Sequence, residues 1–447
     1  MDLHALEKAP ANDDYLFGRG AAWFAFAMTM ALMIFDYVDR QVIVSLFPYL
    51  KAEWQLSDKQ LGGLVSVVSI TVALGALPVA LFADRVSRVK SIVAMAAAWS
   101  LASISCMFAR GYGALFAARA MVGLGEAGYG SVGSALIVSH FPQRLRGALM
   151  AGFFACASVG SVLGVMLGGL IASKWGWQSA FGVVGVPGLV LALAYLKVRD
   201  YPTIALAPEL DAKRRSVTEA GMHIARLLVR APTMLWVCIG GAAQLIVVSA
   251  LWAWLPSFLN RVHGVAPAQS GVKAAVVVLC CAAGAVVWGA VVDKAGARAP
   301  RRKLAVMAAL CVVSMLVLVT AFAFVQDHTT QFAVIALGGF FATCTVGPVV
   351  AIALDVTHPG VRSTGASVLA LFQNLLGLAT GPFLAGVLSD AWGLVPALTV
   401  MPLFALVAAG AFLLAARSYE ADKARAHQPL GSDEPLYAGG YGSGRTA

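Results

Sequence analysis

Charge is what this chain has least of. Asp, Glu, Lys and Arg make up only 12% of its 447 residues, while 60% are apolar and the mean hydropathy is +0.81. A soluble domain carries about 25% charged residues. Half that share cannot wet the surface of two or three soluble domains, and disordered chains are richer in charge still. Metal-binding patterns are missing as well. The seven cysteines (Cys106, Cys156, Cys238, Cys280, Cys281, Cys311 and Cys344) form no CxxC pair and join no His cluster, so zinc, haem and iron–sulfur sites are not expected. Inside apolar runs they act as small hydrophobes. No P-loop, HExxH or GxSxG pattern is present, and no nucleophile–base constellation argues for an enzyme. Gly123-Leu-Gly125-Glu-Ala-Gly128 fits the dinucleotide pattern in form. It lies inside an apolar run with no strand before it, so that reading fails. No cofactor is expected.

What is present is apolar length. A spanning helix needs about 20 apolar residues to cross about 30 Å of hydrocarbon. Twelve such runs fit the chain: 21–48, 60–83, 91–109, 112–139, 146–173, 178–197, 233–259, 270–292, 304–325, 331–354, 363–389 and 394–416. The fold class is therefore an all-α polytopic membrane protein. Residues 1–20 read as an N-terminal tail, too acidic at Asp2, Glu7, Asp13 and Asp14 for a cleavable leader. Residues 21–197 form one six-helix half, 198–232 a basic linker, 233–416 the second half, and 417–447 a flexible tail.

The net charge of +10 then acquires a meaning. Of the 32 Lys and Arg, 24 fall on the side of the membrane that holds both tails and the linker, and six on the other. Basic residues stay in the cytoplasm, so both termini are expected there, in an inner membrane. The charge is a topology signal. Nucleic-acid binding would need a basic folded face with base-reading partners, and no such partner is expected.

The halves repeat each other. Gly160, Gly164, Gly169, Trp175 and Gly176 recur 217 positions later as Gly377, Gly381, Gly386, Trp392 and Gly393, and Pro142 as Pro359. Asp84-Arg85-x-Ser87-Arg88 after the second span has a degenerate echo in Asp293-Lys294 after the eighth. Two parallel repeats place a substrate site at their interface near mid-membrane.

Five ionisable residues sit well inside spans: Asp36, Asp39 and Arg40 in the first, Arg119 and Glu126 in the fourth. Each costs about 2.5–3.5 kcal/mol at the bilayer centre on insertion scales, so such groups face a bundle interior or a wet cavity. Asp36 and Arg40 share a helix face at i, i+4. Asp39 lies about 60° away from that face, where it could instead cap a local distortion. Each helix could neutralise itself, or the two could exchange partners. With exchange, a Glu126 that loses its arginine takes a proton, because a lone buried carboxylate is costly. The bland alternative is a static network that pins the two helices.

The second half offers only uncharged polar groups, Gln244, Asn260, Gln373 and Asn374, with Trp252, Trp254, Phe258 and Phe372. A cavity charged on one wall and aromatic on the other suits an amphipathic ligand with an anionic or zwitterionic head. Aromatics near span ends also form interfacial belts. Asp84, Arg85 and Arg88, with Asp293 and Lys294, read as a charge latch at a cytoplasmic gate or as ordinary basic loops.

Twelve spans in two repeats, with Asp84-Arg85-x-x-Arg88 after the second, resemble the major facilitator superfamily. Ala80 and Ser87 stand where that loop motif has glycines. Asp36-Tyr-Val-Asp39-Arg40, Arg119-x-x-x-Gly123-x-Gly125-Glu126-Ala127-x-Tyr129, Trp175-x-Trp177-x-x-Ala180-Phe181 and Pro187-Gly188-Leu189 are similar to the spinster family. That resemblance implies a proton-linked transporter of lysolipid-like substrates. Glu126, Asp36 and Asp39 would couple protons, while Arg40, Arg119, Trp252, Trp254, Phe372, Gln373 and Asn374 would hold substrate. The organic-anion symporters of the superfamily share the Asp-Arg and Gly-x-Gly-Glu features. They keep sugar acids and carboxylates as an alternative. A monomer is expected. A receptor-like role would call for a large output domain, and none is evident in the sequence.

Overall fold

The computed structural model describes residues 15–200, 231–357 and 362–426. Among them, twelve helices or helix pairs are long and apolar enough to cross a membrane, and there is no strand. In the first half, α1 (Arg19–Val42) continues through a 3-10 turn into α2 (Phe47–Trp54). Then come α3 (Asp58–Val86), α4 (Arg88–Cys106), the broken pair α5 (Tyr112–Glu126) and α6 (Tyr129–His140), α7 (Gln143–Trp175) and α8 (Trp177–Tyr195). The second half holds α9 (Pro232–Arg261), α10 (Pro267–Arg298), α11 (Pro300–Ala323) and the broken pair α12 (His328–Ala342) and α13 (Val346–Asp355). It closes with α14 (Arg362–Phe372), α15 (Thr380–Trp392), α16 (Leu394–Val400) and α17 (Phe404–Ala426).

The sequence explains where these helices turn. Ser57 and Gln60 form a capping box that starts α3. Gly176 joins spans five and six at φ 83°, and Gly393 joins spans eleven and twelve at φ 87°. Only glycine takes that left-handed conformation without strain. The repeated Trp-Gly is therefore one sharp corner used twice. A π-helical turn, Gln373–Leu378, links α14 to α15 inside span eleven. α17 runs to Ala426, ten residues beyond the expected end of the span. There Asp422 accepts the backbone N–H of Thr233 at 2.9 Å and Tyr419 donates to Asp355 at 2.7 Å.

The halves meet along α3 with α15 and α7 with α10. At the end away from the linker, hereafter the far end, Gly62 lies against the carbonyl of Pro382 and Gly386 against that of Asp58 so closely that a side chain on either would collide. Gly169 and Gly271 make the same kind of approach between α7 and α10. Small residues let membrane helices touch backbone to backbone. The far end is thereby sealed. Hydrogen bonds and an ion pair join the halves within that seal.

Candidate transport site

The five buried charges assemble at mid-depth where α1 crosses α5. Arg40 Nε lies 3.0 Å from Asp36 Oδ1 on its own helix and 3.0 Å from Glu126 Oε2 across the gap. Asp39 takes a different partner. Arg119 Nη1 donates to the Asp39 carbonyl at 3.1 Å and reaches its carboxylate at 3.5 Å, while Ser103 donates to the other carboxylate oxygen. Arg119 Nη2 donates to the carbonyl of Arg40 at 3.4 Å. Each arginine therefore meets an acid of the other helix, and Arg40 meets one on its own helix as well. Asp39 is an ion-pair acceptor and not the cap of a distortion.

The two pairs differ in what is left over. Arg119 is 0% exposed; its two terminal nitrogens are engaged by Asp39 and Arg40, and its Nε is buried without a hydrogen bond. The Arg40 side chain is 17% exposed, and its terminal nitrogens have no protein acceptor among the described residues. Its guanidinium also lies 5.3 Å from the ring of Tyr37. Glu126 is fully buried, and neither carboxylate oxygen has a hydrogen bond in good geometry despite the nearby arginine. Three acids face two bases, so one carboxylate is in excess.

Local structure puts Glu126 in an uncomfortable place. It is the last residue of α5, where the helix dipole presents its negative end. The chain then breaks at Ala127 and at Gly128, φ 84°, before α6 resumes. Gly123 and Gly125 let α5 sink against Val68 and Trp99, and the Tyr129 hydroxyl donates to the carbonyl of Thr29 at 2.7 Å. The G-x-G-E spacing therefore buries the carboxylate by close helix approach.

Between the halves lies a cavity of about 600 Å³, counting the space that runs out to solvent. Arg40, Tyr37, Gln41 and Ser69 line it from the first half; Ser249 and Trp252 line it from the second. Arg119 borders it with its guanidinium buried. Sequence reasoning missed Tyr37, Gln41, Ser69 and Ser249, although Tyr37 and Gln41 flank Arg40 on the same helix and could have been found by helical spacing.

Other expected site residues lie elsewhere. Trp254 is fully buried, donates to the Pro382 carbonyl at 2.9 Å and packs 5.3 Å from Phe47, so it belongs to the far-end seam. Phe372, Gln373 and Asn374 enter the π-helical turn; the cavity touches that span at Leu378 and Pro382 instead. Asn374 spends its amide on the carbonyl of Ala370. Asp84 and Arg85 occupy the last turn of α3, and their side chains lie outside the described residues. Arg88 donates to Ser139 at 3.3 Å, tying α4 to α6 within one half. Asp293 is 67% exposed and sits 3.8 Å from Lys303; Lys294 is exposed. Neither link crosses between the halves.

Two pseudo-equivalent six-helix halves around a cavity with buried charges at mid-depth define a membrane transporter, not an enzyme. The chain belongs to the Major Facilitator Superfamily, whose family model matches residues 29–375 and 263–439. An MFS-type efflux pump of Mycolicibacterium smegmatis is 28% identical over 83% of this chain and 86% of its own length. Human protein spinster homolog 3 is 26% identical over 92% and 86%. A gallate transporter of Pseudomonas putida is 26% identical over 66% and 70%. A bacterial homolog of the human lysosomal transporter spinster, solved in an inward-facing and unoccupied conformation, superposes with a TM-score of 0.80 at 22% identity, covering 91% of this chain and 99% of that one.

Proposed function

We propose that the protein is a proton-coupled transporter of an amphipathic, anionic-headed substrate of the lysolipid type, working by alternating access from an inner membrane with both termini in the cytoplasm. The observation that carries this reading is the division of labour at Arg40. Its Nε joins two carboxylates, while its outer nitrogens have no acceptor among the described residues and its part-exposed side chain lines the cavity. An anionic head group on those nitrogens competes with Glu126 for one guanidinium. When the head group wins, Glu126 is left buried and unpaired, and it takes a proton. When the substrate leaves, Arg40 returns and the proton is released. Asp36 keeps Arg40 in reach through the exchange, and Asp39–Arg119 holds α1 against α5. Arg119 is then a positioning residue. Trp252, on the opposite wall, meets the apolar part of the substrate.

The human spinster homolog and the spinster-like structure support the lipid class by similarity. The gallate transporter supports a second reading, a small organic anion held by the same Arg40. Thermal-shift titration of the purified protein separates them. Stabilisation by lysophospholipids, lost in Arg40→Gln, is the expected result. Stabilisation by gallate or sugar acids with no response to lysophospholipids overturns the lipid class and leaves the carboxylate reading.

A further inference from the structure

The mid-depth site does not use the polar cluster at the far end, which the loop motifs gave no reason to expect. Asp58 starts α3 and is buried at 3% exposure. Its carboxylate collects Lys51 Nζ at 2.5 Å and Arg261 Nη1 at 2.7 Å. Ser389 adds a third donor at 2.5 Å. Asp390 accepts the backbone N–H groups of Asp58 and Lys59, each at 2.8 Å, so a carboxylate from one half caps a helix of the other. Lys51 and Asp58 belong to the first half; Arg261, Ser389 and Asp390 belong to the second. A little deeper, Ser66 donates to the Ala379 carbonyl at 2.5 Å.

We infer that Asp58 is the gate carboxylate of the far end: its bonds to Arg261 and Ser389, backed by the Asp390 cap, hold the halves shut there and must break together when the cavity opens to that side. The chemistry suits a reversible lock. Burying an ion pair costs desolvation that its attraction roughly offsets, so the intact cluster is poised and not permanently closed. Opening returns every member to water. Deleting one partner from the closed state is different, because it leaves an uncompensated buried charge. Arg261 already carries one guanidinium nitrogen without a partner in the closed state, and its guanidinium rests 5.8 Å from the ring of Trp254. Lys51, with its side chain 41% exposed, is the outer and weaker contributor.

The test is a distance measurement on the full chain in nanodiscs, with the native cysteines replaced and spin labels at the exposed far-end positions Ala52 and Thr329. Arg261→Gln should raise the long-distance, far-end-open population at least about tenfold. Ser389→Ala, which removes one donor and little else, should move it the same way by less, and Lys51→Ala least. Asp58→Asn combined with Arg261→Gln should open the gate less than the two single changes summed, because both charges of one pair are gone. Unchanged distances in both Arg261→Gln and Ser389→Ala, with the thermal unfolding midpoint retained, overturn the assignment. So does full additivity of the double variant. The readout needs neither substrate nor proton gradient, so its outcome is independent of the transport reading.

Discussion

The two halves repeat one backbone and divide the chemistry unequally. Span four breaks after Glu126 and span ten breaks after Ala342, 216 positions later, close to the 217-residue repeat. In the first half the break carries a buried carboxylate facing Arg40. In the second, the Gln244 side-chain amide donates to the Ala342 carbonyl at 2.9 Å and to Ser314 at 3.2 Å, with no ionisable group nearby in its hydrogen-bond set. The second break gives the freed Ala342 carbonyl a neutral partner, whereas the first holds a buried carboxylate whose oxygens have an arginine nearby but no hydrogen bond in good geometry. Only the first can change charge. The comparison teaches that a broken helix is a shared mechanical feature of the fold, and the proposed mechanism assigns coupling to what is placed at the break.

That contrast can be broken from either side. The largest effect belongs to Arg40→Ala, which leaves Asp36 and Glu126 without their cation. Loss of a buried ion-pair partner costs about 3–5 kcal/mol, so both a marked drop in the unfolding midpoint and loss of transport are expected, measured by thermal denaturation and liposome uptake. Gln244→Leu should cost about 1–3 kcal/mol, because it orphans the Ala342 carbonyl. It should nevertheless leave the pH dependence of transport unchanged. A shifted pH profile in that variant would mean that the second half shares the coupling chemistry. Tyr129→Phe removes the bond that pins α6 to Thr29 and should cost about 1 kcal/mol, with transport slowed but still proton-driven.

Much of this was legible before any coordinates. Twelve spans followed from apolar length, the halving from the Trp-Gly repeat, and the five intramembrane charges from their cost in hydrocarbon. Partner choice was not legible. Spacing along α1 and α5 allowed self-pairing and exchange equally, and only the crossing of the helices decides that Arg40 meets Glu126 while Arg119 meets Asp39. Aromatic residues misled for a related reason. Trp252 and Trp254 are two apart and therefore point to different faces, one to the cavity and one into the seam with Phe47. Lys51, Asp58 and Arg261 lie outside the twelve apolar runs, and their meeting depends on contact between spans far apart in sequence.

The smallest effect lies outside the membrane spans. His263 stacks on His328 at 4.2 Å and shares a 2.5 Å hydrogen bond with Gln331. Burial holds the His263 imidazole below its ordinary range, helped by the nearby His328 and Lys273 and opposed by the Gln331 bond. The folded state therefore binds this proton less readily than the unfolded chain. Its contribution to stability is complete above the ordinary imidazole pKa and falls as the pH drops through it. His263→Gln should lose less unfolding temperature between pH 8 and pH 5 than the native protein does.

The central claim is that Glu126 carries the coupled proton. It is tested most directly by loading liposomes with a pH-sensitive dye and comparing native protein with Glu126→Gln. The account predicts that substrate moves protons in the native protein, whereas the variant exchanges substrate across the membrane without moving protons and gains nothing from a pH gradient. A variant that accumulates substrate under a pH gradient as well as the native protein would contradict it.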